Sequence, residues 1–495
     1  MTRILPRGRH GIAAFALAMA PVAAGPLAAA EAAASHYGIT ITTASTRHVA
    51  FHNGVYRPTA EGATLNVNDL KNALAAGNIE VTTGNGAAGK EMGDLHVEVS
   101  ALTWSSKFAL TLDAYHSIFI DEPVTDAGTG ALTLTTNDGG TGGIFIYGPG
   151  DSITFSNVAD ALTINGQGYT LVGDIKSLAA DITANPSGDY AVAANFGDGS
   201  GYQHAPITTT LTGVVNGLGN TIGKFTINDP TKLDSAGFFA EIGPTGVVQD
   251  LRLSIVVEIT EPQLVGGLAA TNLGTLVDDS VETGVKTSYA AQATLGGLVG
   301  ANSGTIARCN ASAAMNAQSE STLGGLVGVD SGGVIIESFA GGKLVSEATS
   351  ALGGLVGTTS LTSIANSYST ASTTSPDGDA GGLVGVNGDA NGNNGLIATS
   401  YAAGLVKMTK HSGTSGGGLI GIDNSVPGSI TSSYWDTATS GISNPGQGAF
   451  SPSNDPGITA ERGFAGLPAG FDPTIWAQNG SINNGLPYLI ANPPQ

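Results

Sequence analysis

The sequence predicts an all-β chain wound as a parallel β-helix, or solenoid, and three observations carry that expectation. The pentapeptide Gly-Gly-Leu-Val-Gly recurs at Gly296, Gly324, Gly353 and Gly381, with variants GGLAA at Gly266 and GGLIG at Gly417. Consecutive starts lie 30, 28, 29, 28 and 36 residues apart, a period that belongs to stacked supersecondary units rather than to one globule. The intervening pieces are strand-length, rich in Val, Ile, Leu and Thr and broken by Gly, Asn and Ser, which leaves no room for long helices. A β-sandwich does not need matched residues at a fixed long period.

Each repeat should hold about three strands and three turns, every strand pairing with its equivalent one coil away at roughly 4.8 Å. Leu268, Leu298, Leu326, Leu355, Leu383 and Leu419 then form one internal column, and the flanking glycines let the backbone turn around it. Six residues after the first Gly of each pentapeptide come Asn272, Asn302, Asp330, Thr359, Asn387 and Asp423. Such a column predicts one left-handed tight turn repeated in every coil. Ile306, Ile335, Ile364, Ile397 and Ile430 are each followed at the third residue by Cys309, Ser338, Ser367, Ser400 and Ser433. The next position reads Asn310, Phe339, Tyr368, Tyr401 and Tyr434. Phe339, Tyr368, Tyr401 and Tyr434 should therefore lie in line, either stacked as core or exposed as a binding stripe; the structural role is preferred. The phenolic oxygens could reach solvent even with the rings largely covered.

Composition fits an exported repeat protein. Of 495 residues 74 are Gly and 12% are charged, while 41% are hydrophobic, so the chain can bury a core and is not disordered. The formal net charge of −21 argues against nucleic acid as a partner. Arg3, Arg7 and Arg9 precede an apolar, Ala-rich run from Gly11 to about Ala30, the layout of a secretory signal peptide over residues 1–34 with cleavage after Ala30 or Ala34. Pro21 and Pro26 disfavour a retained spanning anchor, and no later stretch could cross a membrane as an apolar helix. The single cysteine, Cys309, excludes an internal disulfide and reads as a small buried space-filler.

Residues 35–205 read as a less regular part of the same solenoid. Helices are expected at Val67–Ala76, capped by Asn68 and ended by Gly77, and at Ile175–Ala184 before Pro186. Strands are expected at Leu95–Val99, Phe108–Leu112, Ser117–Ile120, Ala131–Thr135, Ile144–Tyr147, Ser152–Phe155, Leu162–Asn165 and Tyr169–Val172. Residues 206–440 carry the repeats. Residues 441–495, dense in Pro and aromatics such as Phe464, Phe471, Trp476 and Tyr488, should cap the last coil and cover its open core and unpaired edge.

The GGLVG repeats with their Ser-Tyr or Ser-Phe partners, followed by Ser433-Tyr434-Trp435-Asp436-Thr437, resemble the GLUG-motif repeats of large bacterial surface and secreted proteins. Leu211-Thr212-Gly213 through Thr221-Ile222 resembles the coil that introduces those arrays. Leu110-Thr111-Leu112-Asp113-Ala114-Tyr115 and Leu162-Thr163-Ile164-Asn165-Gly166 are similar to filamentous-haemagglutinin-like adhesins. The resemblance implies a right-handed β-helix on or outside a Gram-negative cell, attaching to host or neighbouring cells, surfaces or glycans, with an outer-membrane protein as a secretion partner. No carboxy-terminal transmembrane barrel pattern is expected, so release and retention both stay open.

Parallel β-helices also carry polysaccharide lyases and hydrolases, which need carboxylates converging on a groove. The close acidic groups are Asp121-Glu122, Asp278-Asp279 with Glu282, and Asp377 with Asp379; none repeats at a matched offset, and solvated turns explain them. His48 and His52 lack the Glu of a His-Glu-x-x-His zinc site. Gly413 to Gly417 spells a nucleophile elbow without its strand-to-helix context. No catalytic, cofactor-binding or metal-binding residue is assigned, no cofactor is expected, and a glycan-degrading β-helix enzyme is the alternative.

Overall fold

In the repeats the chain turns a corner at each Gly-Gly step because nothing larger fits there. A Cβ on Gly324 would lie 1.7 Å from the carbonyl oxygen of Val327, and one on Gly325 would lie 2.0 Å from the carbonyl oxygen of Gly354 in the next coil. Close approach, not a left-handed conformation, is what demands glycine at this corner. The computed structural model describes residues 36–494 except 85–88, 90, 101, 198, 200, 230–234, 261–263, 288–292, 319, 349, 377, 390–392, 410–415 and 450–454. Residues 1–34, read above as a signal peptide, lie outside the described residues.

The structure is all-β, 51% strand and 5% helix, and forms a β-solenoid of about 13 turns with parallel strands and two short helices. One repeat shows the plan: strands Ala293–Gly296, Val299–Asn302, Thr305–Ala307 and Asn310–Ala317. Four strands replace the expected three, because the Gly-Gly corner splits one side in two. Each pairs in register with its equivalents one coil away, as in Leu295 opposite Leu323, Ile306 opposite Ile335 and Ala311 opposite Ala340.

The Leu column is internal as expected. Leu268, Leu298, Leu326, Leu355, Leu383 and Leu419 are fully buried, and the amide of each of the first five donates to the carbonyl of the next at 2.8 Å. Dry side chains and an unbroken backbone ladder thus coincide at one corner.

The Asn/Asp column does something other than expected. Asn272, Asn302, Asp330, Thr359, Asn387 and Asp423 are buried and are absent from the left-handed backbone positions. Their side chains form an internal ladder: Asn272 Nδ2 donates to Asn302 Oδ1 at 2.7 Å, Asn302 Nδ2 to Asp330 Oδ2 at 3.0 Å, Thr359 Oγ1 to Asn387 Oδ1 at 2.7 Å and Asn387 Nδ2 to Asp423 Oδ1 at 3.1 Å. Several also accept from their own turn, as Asn272 Oδ1 does from the Gly274 amide. The left-handed column lies instead at Asp250, Asp278, Arg308, Glu337, Asn366, Thr399 and Ser432, one residue before the small column.

That small column is a second ladder. The amides of Cys309, Ser338 and Ser367 donate to the hydroxyls of Ser338, Ser367 and Ser400 at 3.1, 3.2 and 3.2 Å. The hydroxyls of Ser338, Ser367 and Ser400 in turn donate to carbonyls two residues back. Cys309 is buried in this row, where burial pushes its thiol well up.

Residues 39–218 enclose one apolar core and residues 172–449 another. Parallel pairing continues through the first, as in Leu110 opposite Leu132 and Leu132 opposite Leu162. The helices span Val67–Leu74 and Ile175–Ala184, and the first is capped by Asn66, whose side chain accepts from the Asn68 amide, not by Asn68 itself. Antiparallel hairpins at 49–58 and 161–172 are the irregular coils.

Residues 441–494 act in two parts. Ile458–Glu461 adds a strand beside Ser433–Asp436, while Trp435, fully buried, fills the interior beneath that last coil. The remainder, 463–494, runs back along the flank.

Candidate functional site

Phe339, Tyr368, Tyr401 and Tyr434 occupy one register on successive strands. Strand alternation points the serine before each of them inward and the aromatic ring outward. The rings of Phe339 and Tyr368 stack at 4.8 Å and 8°, those of Tyr368 and Tyr401 at 5.0 Å and 1°. Tyr434 departs from the stack and meets Phe471 edge-on at 5.7 Å.

Outward-pointing does not mean exposed here. Tyr368 and Tyr401 are fully buried, Tyr434 is 6% exposed and Phe339 is half-buried. The cover is the chain's own carboxy-terminal segment, whose Phe464, Phe471, Trp476 and Leu489 form a separate apolar cluster with the column. Trp476 sits 6.0 Å from Tyr368 and 5.9 Å from Tyr401, and its segment is a small antiparallel ribbon pairing Trp476–Gln478 with Pro487–Leu489.

The phenolic oxygens of Tyr401 and Tyr434 turn to the segment rather than to solvent, while that of Tyr368 is buried with no hydrogen-bond partner among the described residues. Tyr401 donates to the Pro487 carbonyl at 2.6 Å and accepts from Asn483 Nδ2 at 2.9 Å. Tyr434 donates to the Ala469 carbonyl at 2.7 Å. Burial pushes the Tyr401 and Tyr368 hydroxyls far up. The stripe therefore joins two parts of the chain and is closed to a glycan in this conformation. Its partner was written in the Pro- and aromatic-rich tail, but period and spacing do not say which side of the solenoid a tail will follow.

The same outward register continues through Asn310, Ser280 and Arg252, and so does the tail. Asn492 Nδ2 donates to the carbonyls of Cys309 and Glu337 at 3.2 and 3.1 Å and accepts from Asn310 at 3.2 Å. Beside it, Arg308 forks onto Asp278 with bonds of 2.8 and 2.7 Å. Arg252 bonds the carbonyls of Gly148, Asp151 and Gly219, fastening the first core region to the repeats.

Tyr147, Asp250, Arg252, Asp278, Arg308 and Asn492 line a cleft of about 90 Å³, room for a few waters but not for a sugar chain. Burial, and then the neighbouring Asp278, drives the Asp250 carboxyl well up; burial also raises Asp278, against the pull of Arg308. These groups form a structural charge network at a left-handed corner.

The acidic groups weighed for catalysis separate by face. Asp278 pairs with Arg308, Asp279 is buried inside accepting from the Leu251 amide at 3.0 Å, and exposed Glu282 accepts from Ser254 Oγ at 3.4 Å. Asp377 lies outside the described residues. His48 Nδ1 bonds the Glu61 carbonyl at 2.9 Å. Of the elbow-like segment, 413–415 is outside the described residues and Gly416–Gly417 is a strand. Among the described residues no helix is long and apolar enough to cross a membrane.

On the long-strand side, Glu258, Lys286 and Asn316 share one outward column, with Lys286 Nζ 3.2 Å from Glu258 Oε1. With Asn228 they border an open depression of about 430 Å³.

No protein-family model matches this chain. It is similar to halomucin of Haloquadratum walsbyi (strain DSM 16790 / HBSQ001), 29% identical over 192 residues, which is 38% of this chain. The chain spans about 2% of that protein's length. The fold defines a class, the parallel β-solenoids, and the likeness to halomucin reaches no further than part of the chain.

Proposed function

We propose that this protein is a secreted or cell-surface β-solenoid of adhesin type, attaching to cells, surfaces or glycans through many shallow contacts along its side. The observation that carries this reading is the open polar depression bordered by Asn228, Glu258, Lys286 and Asn316, set on a regularly laddered wall. Amide, carboxylate and ammonium groups at strand spacing suit the hydroxyls of a sugar chain, and an open floor suits repeated weak binding. The GLUG-like repeats and the basic-then-apolar amino terminus support export from a Gram-negative cell.

The test is incubation of the purified chain with a panel of glycans and cells, scoring retention and product release together. Retention without new reducing ends or unsaturated products, weakened in Lys286→Ala and Asn316→Ala, is the expected result. Product release would replace the reading with a glycan-degrading enzyme. Absence of retention on every surface would remove it.

A further inference from the structure

Strands Ile39–Thr42, Leu95–Val97 and Ile118–Ile120 lie side by side in the first core region, with Val97 opposite Ile120. His96 faces outward between buried Leu95 and Val97, and two residues on Glu98 faces the same way. The Asp121 amide donates to the Val97 carbonyl at 3.2 Å, which sets Asp121 beside Glu98 in the next coil. An imidazole and two carboxylates thereby meet on one wall, drawn from two coils.

His96 Nδ1 is 3.2 Å from Asp121 Oδ2 and 3.9 Å from Glu98 Oε1, and the three ligand atoms all lie within 4.8 Å of one another. Donors placed about 2.1 Å from one ion are separated by roughly 3.0 Å at right angles and roughly 3.4 Å at tetrahedral angles. The His96–Asp121 separation of 3.2 Å falls between those values, and the 3.9 Å to Glu98 is wider by about half an ångström, within reach of a side-chain rotation. Asp121 is hydrogen-bonded to His96 Nδ1 and Glu98 stands at ion-pair distance from it. Glu98, too far from His96 for a hydrogen bond, converges on the same point, where a shared cation would meet all three groups.

The imidazole is also held in place. Its ring lies on Phe119 at 4.2 Å and 6°, so Nδ1 is aimed at the carboxylates by stacking. The side chains of His96, Glu98 and Asp121 are 32%, 54% and 37% exposed, which leaves water access to the remaining coordination positions.

We propose that His96, Glu98 and Asp121 form a binding site for a divalent transition-metal ion of the zinc class, through one imidazole nitrogen and two carboxylate oxygens with water completing the shell. A nitrogen donor with only two carboxylates favours such an ion over calcium or magnesium, which take oxygen ligands in larger number. Spacing alone does not reveal the site, because His96 and Asp121 are 25 residues apart and only coil register joins them.

The test is calorimetric titration of the chelator-treated, full-length chain with zinc, and with calcium in parallel. One saturable zinc site is expected, with calcium at least tenfold weaker. His96→Gln and Asp121→Asn should each weaken zinc by roughly 10–100-fold or more, while the exposed pair His48→Gln and His52→Gln leaves it unchanged. All three sites lie on the surface, so unchanged circular dichroism is expected and separates lost ligands from lost fold. Zinc binding that survives His96→Gln, or that vanishes with the His48 and His52 changes, would overturn the proposal. So would no saturable binding in the parent chain.

Discussion

Tyr401 and Pro487 lie 86 positions apart in the chain, yet the tyrosine hydroxyl donates to the proline carbonyl at 2.6 Å in a buried setting. The bond fastens the tail ribbon to the aromatic column. Because Asn483 Nδ2 also reaches that carbonyl, at 2.8 Å, Tyr401→Phe leaves the oxygen satisfied and should cost only about 1 kcal/mol. Trp476→Ala removes a fully buried ring and should cost about 3–5 kcal/mol. Limited proteolysis should then cut within 463–494 in the Trp476 variant first, with the repeats still protected.

Asp330 is one of two acids in the buried amide ladder, and burial pushes its carboxyl up to about 6. An unfolded Asp titrates near 3.9, so between these values the folded chain holds the extra proton. Stability contributed by this group is therefore greatest at low pH, falls as pH rises toward 6 and is flat above. Asp330→Asn keeps an acceptor for Asn302 but puts its amide nitrogen where Asp330 Oδ1 accepts from the Gly333 amide at 2.9 Å and the Thr362 hydroxyl at 3.1 Å, a pH-independent cost. Denaturation from pH 4 to 7.5 should show the variant's stability relative to the parent rising by on the order of 2–3 kcal/mol between pH 4 and pH 7.

Leu326 and Leu355 are fully buried neighbours in the corner column. Either change to Ala should cost about 2–5 kcal/mol in chemical denaturation. Thr359→Asn should be tolerated, since an Asn side chain can also donate to Asn387 Oδ1, whereas Thr359→Val removes the 2.7 Å bond and should cost about 1–3 kcal/mol.

Arg308 neutralises Asp278 next to buried Asp250. Arg308→Ala leaves those carboxylates facing each other, a loss of about 3–5 kcal/mol near neutral pH. Acid should restore part of it, because both carboxyls are already raised and take up protons. A melting temperature that rises from pH 7.5 to 5 in the variant more than in the parent checks this.

The period, the Leu column and the helix Ile175–Ala184 were legible because each depends on residues near in sequence or matched coil to coil. The Asn272 to Asp423 column was legible as a column but misread in role. Short polar side chains suit both left-handed turns and buried amide ladders, and only burial separates the two. The true left-handed positions run Asp250, Asp278, Arg308, Glu337, Asn366, Thr399 and Ser432, a series with no common chemistry, since the register of the surrounding ladders imposes the turn there. The cover over Tyr368 and Tyr401, and the meeting of His96 with Asp121, depend on where distant segments land. Neither leaves a periodic trace.

The tail fastens to Tyr434 through Ala469 at one end and to Cys309 and Glu337 through Asn492 at the other. Successive coils are held to one another by hydrogen bonds that run along the solenoid axis. A pull along that axis would open such bonds one rung at a time, like a zip. The tail lies across the same rungs as a rope beside a ladder, so it shares the load over several coils and must let go before they can part singly.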